Sequence, residues 1–186
     1  MANILIISPE LWNGHFVSKH HYTITLALQG HKVYFLSPPN NEAKDIVINS
    51  TKYKNLWSVS APQVAKGLRF YPKILRNLIE KRWLEKLETK IGQKFITIWL
   101  FENSRFYNMD FAGSRLKIYH QVDSNQNLHI SKAASSADIC FCTTDYILKD
   151  LKLYNDKCYK IHHGASLQSN HKLLSSELLN YIDSEK

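Results

Sequence analysis

Acidic residues are in short supply. Sixteen Asp and Glu stand against 24 Lys and Arg, leaving a formal charge of +8 and a pI near 9.3. That excess attracts something anionic: nucleic acid, a phosphorylated substrate or an acidic membrane surface. Cysteine is scarce too, with three in 186 residues. An odd, small number argues against a disulfide framework and fits a reducing cytoplasm. Cys140 and Cys142 alternate on an expected strand, and no second pair completes a zinc site, so they read as buried thiols. The six glycines form no phosphate-binding fingerprint. G-x-G-x-x-G is absent, with Gly14 alone in its loop, and so are G-x-x-x-x-G-K-[ST] and G-x-S-x-G. No apolar run approaches the roughly 18 residues of a membrane span. The opening Met1-Ala2-Asn3 has no basic region or cleavage site, so no signal peptide is expected.

What is present alternates short apolar runs with helical stretches, the pattern of a parallel sheet covered by helices. Residues 3–8 read as a buried first strand and 17–29 as a helix with Val17, His21, Ile24 and Leu28 on one face. Gly30 stops that helix, and residues 31–37 form a second strand ended by Pro38-Pro39. Short strands are expected at 46–50 and 56–61. A long helix follows over 70–91, with Tyr71, Ile74, Leu75, Leu78, Ile79, Trp83, Leu87 and Ile91 as its stripe. Strands at 95–101, 116–122, 138–143 and 158–161 and helices at 126–136 and 145–153 complete the set. The expected class is α/β: a Rossmann-like parallel sheet with helices on both faces, over residues 1–166. Residues 167–186 read as a polar helical tail or the start of a linker.

Ligands of open parallel sheets bind outside the carboxyl ends of the strands. The residues falling there form a polar rim. After the first strand come Glu10, Leu11, Trp12, Asn13, Gly14 and His15; after the 95–101 strand, Glu102, Asn103 and Ser104. The 116–122 strand ends in His120, Gln121, Asp123 and Ser124; Thr144 and Asp145 follow the 138–143 strand, and His162-His163-Gly164 precede the tail. Capping and turn formation explain any one of these polar residues, but the set reads as a site.

Three stretches carry a resemblance. "ILIISPELWNGHFVSKHHYTITLALQGHKVYFLSPP" is similar to the first βαβ unit of GT-B glycosyltransferases of the glycosyltransferase-4-like kind, through His21, Leu26, Ala27, Gly30, His31 and Val33. "KIYHQVDS" resembles a strand end of polysaccharide-assembling members. "SSADICFCTTDYILKDLKLYNDKCYKIHHGAS" resembles the segment leading out of the family's N-terminal domain, through Ala137, Asp138, Thr144, Leu148, His163 and Gly164. The chain differs in having one glycine in the first loop and Ala165-Ser166 after Gly164.

The resemblance implies the N-terminal, acceptor-side half of a GT-B fold. It implies transfer of a sugar from a nucleotide-sugar donor to a glycan or lipid-linked acceptor, in bacterial-type polysaccharide synthesis. The donor would be held by a C-terminal domain absent from this sequence, so the fragment alone is expected to be inactive, with no metal and no cofactor of its own. His120 would face the transferred sugar or departing phosphate, and Glu102 would be the acidic catalytic partner. Trp12, Asn13, Gly14, His15, His21, Asn103 and Asp123 would bind substrate. A GT-B-like sugar-nucleotide epimerase half and a basic nucleic-acid-binding module are the alternatives, although no nucleic-acid motif is present. Residues 66–94 hold nine Lys and Arg against three Glu. A helix basic on one face and apolar on another can lie on an anionic membrane, with Lys73 and Arg76 facing it. The expected location is cytoplasmic, peripheral on the inner face of the membrane.

Overall fold

In the computed structural model, which describes residues 1–124 and 129–161, eight strands form one sheet. They are β1 (Asn3–Ile7), β2 (Lys32–Leu36), β3 (Val47–Ser50), β4 (Leu56–Ser60), β5 (Thr97–Leu100), β6 (Leu116–Gln121), β7 (Ile139–Cys142) and β8 (Cys158–Lys160). The spatial order is β3-β4-β2-β1-β5-β6-β7-β8, parallel throughout except where β3 turns back against β4. Four helices accompany them: α1 (Ser18–Leu28), α2 (Lys73–Ile91), α3 (Ile130–Ser136) and α4 (Asp145–Leu151). The expected α/β class therefore holds. The 167–186 tail and His162, His163 and Gly164 lie outside the described residues, as do residues 126–128 of the expected 126–136 helix.

Alternation along each strand sends side chains to two cores. Leu5, Ile7, Leu36, Val59, Ile98 and Leu100 meet Leu84 and Leu87 of α2, Ala133 and Ala134 of α3, and Ile147 and Leu151 of α4. Ile4, Ile6, Val33, Phe35 and Phe101 meet Ile24 and Ala27 of α1 on the opposite face. The central strands are aliphatic on both sides because both sides are covered. Cys140, Cys142 and Cys158 are buried free thiols in the first of these cores. Burial pushes Cys140 and Cys142 above the ordinary thiol range, which leaves them unreactive.

Both long helices bury a face other than the one their apolar residues mark. In α1 the inward residues are Lys19, His20, Thr23, Ile24 and Ala27, while Leu28 and Val17 are exposed. The polar ones can go inside because they are satisfied there: the Thr23 hydroxyl donates to the Lys19 carbonyl at 2.6 Å. In α2 the inward residues are Arg76, Glu80, Leu84, Leu87 and Glu88. The stripe read from the sequence splits. Trp83 and Ile91 pack against the core, but Tyr71, Ile74, Leu75 and Leu78 face outward.

Arg76 is the reason, and it corrects the assignment of this residue to a membrane-facing surface. It is 1% exposed. Its Nε donates to Glu80 at 2.7 Å, its Nη2 donates to the Arg105 carbonyl at 2.6 Å, and its guanidinium lies 3.3 Å from the centre of the Tyr107 ring. A planar, multi-donor guanidinium suits such a site. Burial pushes the Glu80 carboxyl up to about 7 despite the adjacent arginine. Glu88, one turn from the end of α2, is held by Arg115 at 2.7 Å and accepts the Phe95 N–H at 2.9 Å. The two buried glutamates of α2, eight residues apart, thus serve the helix's attachment to the sheet.

Breaking a buried pair strands a charge. Arg76→Met is expected to cost ~3–5 kcal/mol of unfolding free energy, and adding Glu80→Leu to restore most of it. Urea denaturation of the single and double variants reads this; additive losses would sink the pairing account.

Candidate functional site

The crossovers deliver β1, β2, β4 and β5 to one rim, and a cavity of about 730 Å³ opens there. Pro9 follows β1, Pro38 and Pro39 follow β2, Gln63 to Ala65 follow β4, and Glu102, Ser104 and Arg105 follow β5. Leu68 to Phe70, a 3₁₀ turn ahead of α2, closes one side. The volume is that of a small-molecule site.

Arg105 builds the floor. Its Nε donates to Glu102 at 2.7 Å, its Nη1 to the Ser37 carbonyl at 2.8 Å and its Nη2 to the Ser8 carbonyl at 3.4 Å. One guanidinium thereby ties the ends of β1, β2 and β5. Glu102 also accepts the Ser104 hydroxyl at 3.3 Å. Of the two other arginines that line the cavity, Arg76 is buried and paired with Glu80, whereas Arg69 is exposed, with its guanidinium 4.6 Å from the centre of the Phe70 ring. It makes no ion pair among the described residues. The cavity can thus hold an anionic or hydroxyl-rich group between two committed arginines and an available one.

The residues expected at the rim divide into three places. Glu102 lines the cavity. Asn103, beside it, is buried and donates to the Tyr119 hydroxyl at 2.9 Å; Tyr119 donates to Gln121 at 3.1 Å, and Gln121 to the Asp123 carbonyl at 3.3 Å. This relay joins the ends of β5 and β6 and leaves the Asp123 side chain exposed. Trp12, Asn13, Gly14 and His15 sit on the β1–α1 loop on the other side of the sheet, with His21 near them on α1. They do not line the rim cavity.

His120 is not on the cavity wall either. Its residue is 0% exposed, with its ring centre 4.7 Å from Phe101, 5.5 Å from Tyr22 and 6.0 Å from both Trp99 and Phe141. The sequence placed it at the carboxyl end of β6, but strand alternation turns its side chain toward α1. Among the described residues no group of three or more His, Cys, Asp or Glu is placed to hold a metal ion. Sequence reasoning missed Arg105 and Arg69. A lone arginine in a loop gives no periodic signal, and the carbonyls it binds are invisible in sequence.

No protein-family model matches the chain, and no curated protein matches it in sequence. Solved structures do match. A short sucrose-phosphate synthase chain from Thermosynechococcus elongatus is similar at TM-score 0.53 and 10% identity, with 89% of this chain and 90% of that one covered. A longer chain of the same protein gives 0.55 and 11%, with 90% and 49% covered. A trehalose-6-phosphate structure from E. coli, bound with UDP-2-fluoro glucose, gives 0.51 and 10%, with 99% and 54% covered. The fold is that of the GT-B glycosyltransferases. This chain spans about half the length of the two longer chains it matches.

The β1–α1 loop is pinned by a histidine outside the expected set. His20 Nδ1 accepts the Val17 N–H at 3.2 Å and its Nε2 faces the Leu11 carbonyl at 3.0 Å. Both bonds require a neutral ring protonated on Nε2. Burial lowers its pKa from 6.5. The unfolded chain then binds the proton more readily, so the contribution is complete above 6.5 and declines as pH falls below that value. The exchange protection of residues 11–17, taken against the intrinsic rate at each pH, should fall as pH drops below 6.5, and His20→Phe should abolish that fall. A flat profile in the unmodified protein would contradict the assignment.

Proposed function

We propose that this chain is the acceptor-binding half of a glycosyltransferase that moves a sugar from a nucleotide sugar to a glycan carried on a lipid. The shared fold supports the transferase class. The nucleotide sugar would sit in a partner domain across the rim. An acceptor hydroxyl oxygen would bond to the sugar's anomeric carbon as that carbon's bond to the donor phosphate breaks. The nucleoside diphosphate leaves with the electron pair, and the hydroxyl proton passes to the departing diphosphate. Glu102 and Arg105 would position the acceptor from the cavity floor, and Arg69 would meet its anionic groups.

One observation carries the lipid. Phe70, Tyr71, Ile74, Leu75 and Leu78 form an outward ridge at helical spacing, with Phe70 75% and Ile74 86% exposed. Contiguous exposed apolar surface of this kind marks an interaction site. Exposed Lys66, Arg69, Lys73, Lys81 and Arg82 border it, although Lys73 also pairs with Asp110 at 2.8 Å. Phe70 of the ridge and Arg69 at its border both line the cavity, so a surface seated on the ridge would present its headgroups to the cavity mouth. No described helix is long and apolar enough to cross a membrane. Each basic residue near anionic lipid contributes on the order of 1 kcal/mol.

Two measurements test this reading. The chain should sediment with vesicles containing phosphatidylglycerol and not with neutral phosphatidylcholine, and the binding should fade at high salt. Ile74→Glu with Leu78→Glu should weaken it about tenfold or more; equal binding to both vesicle types removes the lipid from the account. In the second, the chain alone should release no nucleoside diphosphate from nucleotide sugars. Supplied with a donor-binding domain, it should transfer sugar to a lipid-linked glycan. Release by the chain alone, or by the pair without any sugar reaching the acceptor, overturns the proposal.

A further inference from the structure

A second cavity, of about 550 Å³, lies on the α1 side of the sheet, away from the rim cavity and sharing no residue with it. It forms beside α1, which packs over β2 and reaches β4, where β3 and the β3–β4 turn meet the β1–α1 loop. In β4, Ser58 stands beside Phe35 of β2 and opposite Asn49 of β3, so the uncovered strip of sheet is polar. The aromatic side is supplied by Trp12 and Phe16 of the β1–α1 loop and Tyr53 of the β3–β4 turn. Trp12 and Phe16 meet at 5.4 Å and 60°, and Trp12 and Tyr53 at 6.4 Å and 87°, which makes an angled wall. Phe16 is 45% exposed and Tyr53 half-buried, so these two rings form the open part of the wall, with the buried Trp12 behind them.

We propose that this cavity binds a neutral oligosaccharide. A pyranose has apolar C–H faces and a rim of hydroxyls. The angled rings match the faces, and aromatic surface brings contact area at little conformational cost. The side chains of Asn13, Asn49 and Ser58 make no hydrogen bond among the described residues and can both donate to and accept from hydroxyls. The one cation in the lining, Lys52, has its ammonium 5.2 Å from the centre of the Tyr53 ring. The lining therefore matches an uncharged ligand better than a phosphate or nucleotide, which the rim cavity with its arginines suits. The volume falls in the ~300–1,000 Å³ range of small-ligand sites and leaves room for a short oligosaccharide. The proposal stands on this cavity alone and does not need the transfer reaction.

The test is an amide-resolved NMR titration of the whole chain with neutral trisaccharides of glucose, of mannose and of galactose. At least one should shift the Trp12 indole and the amides of Asn13, Asn49, Tyr53 and Ser58, leaving Arg69 and Arg105 unmoved. Asn49→Ala, an exposed position that should not disturb folding, should weaken that binding severalfold. Asn49→Ala with Tyr53→Ala should abolish it, with the rest of the spectrum unchanged. No shift with any of the three overturns the proposal. So do shifts confined to the rim cavity, and so does unaltered binding by Asn49→Ala. Because binding is read without donor or acceptor lipid, failure here leaves the glycosyltransferase reading standing, and failure of that reading leaves this one standing.

Discussion

The guanidinium of Arg105 holds together the ends of three strands, and the rim cavity depends on it. A parallel sheet leaves its last carbonyls pointing into the loops that follow, where they need donors. Arg105 supplies donors to the carbonyls that close β1 and β2 and to the carboxylate that follows β5. Hydrogen bonds to a charged group contribute ~1.5–3 kcal/mol each, enough to fix a loop that would otherwise drift. Arg76 extends the arrangement by donating to the carbonyl of Arg105 itself, which couples α2 to the same loop. The residues that follow, Phe106, Tyr107, Asn108 and Met109, are buried, so the loop is packed as well as bonded.

This constraint explains the odd character of α2. A helix that crosses a sheet ordinarily buries its apolar stripe. Here the first half of α2 turns Arg76 and Glu80 inward, because the guanidinium is needed at the loop and the carboxylate compensates its charge. The apolar residues of that half are rotated outward as a result. Leu84 and Leu87 restore ordinary packing in the second half. The ridge of Phe70 to Leu78 is thus the other side of the cavity's support, and the same rotation sets it beside the cavity mouth.

The strands were legible in sequence because a short aliphatic run bounded by Gly, Pro and polar residues is too brief for a buried helix and suits a strand covered on both faces. β1, β2, β5, β6 and β7 all fall within a residue or two of their expected places. Helix existence was legible as well, but helix orientation was not. His20, Thr23, Arg76 and Glu80 are polar residues made compatible with burial by partners far from them in sequence or one turn away, and hydropathy cannot register those partners. The rim was readable in position, since Glu102 lines the cavity. His120 was placed correctly at a strand end, yet its direction follows from strand alternation, which turns it into the aromatic cluster under α1. Trp12 to His15 belong to the opposite face for the same geometric reason: their loop leaves β1 toward α1, whereas the cavity opens toward α2.

If Arg105 is what gathers the strand ends, its removal should loosen the rim and spare the sheet. Residue-resolved hydrogen exchange on Arg105→Ala is the direct measurement. The account predicts faster exchange in segments 8–10, 37–40 and 102–107, with β1, β2 and β5 protected as in the unmodified protein. Unchanged exchange in those three segments, or a uniform loss of protection across the sheet, would contradict it.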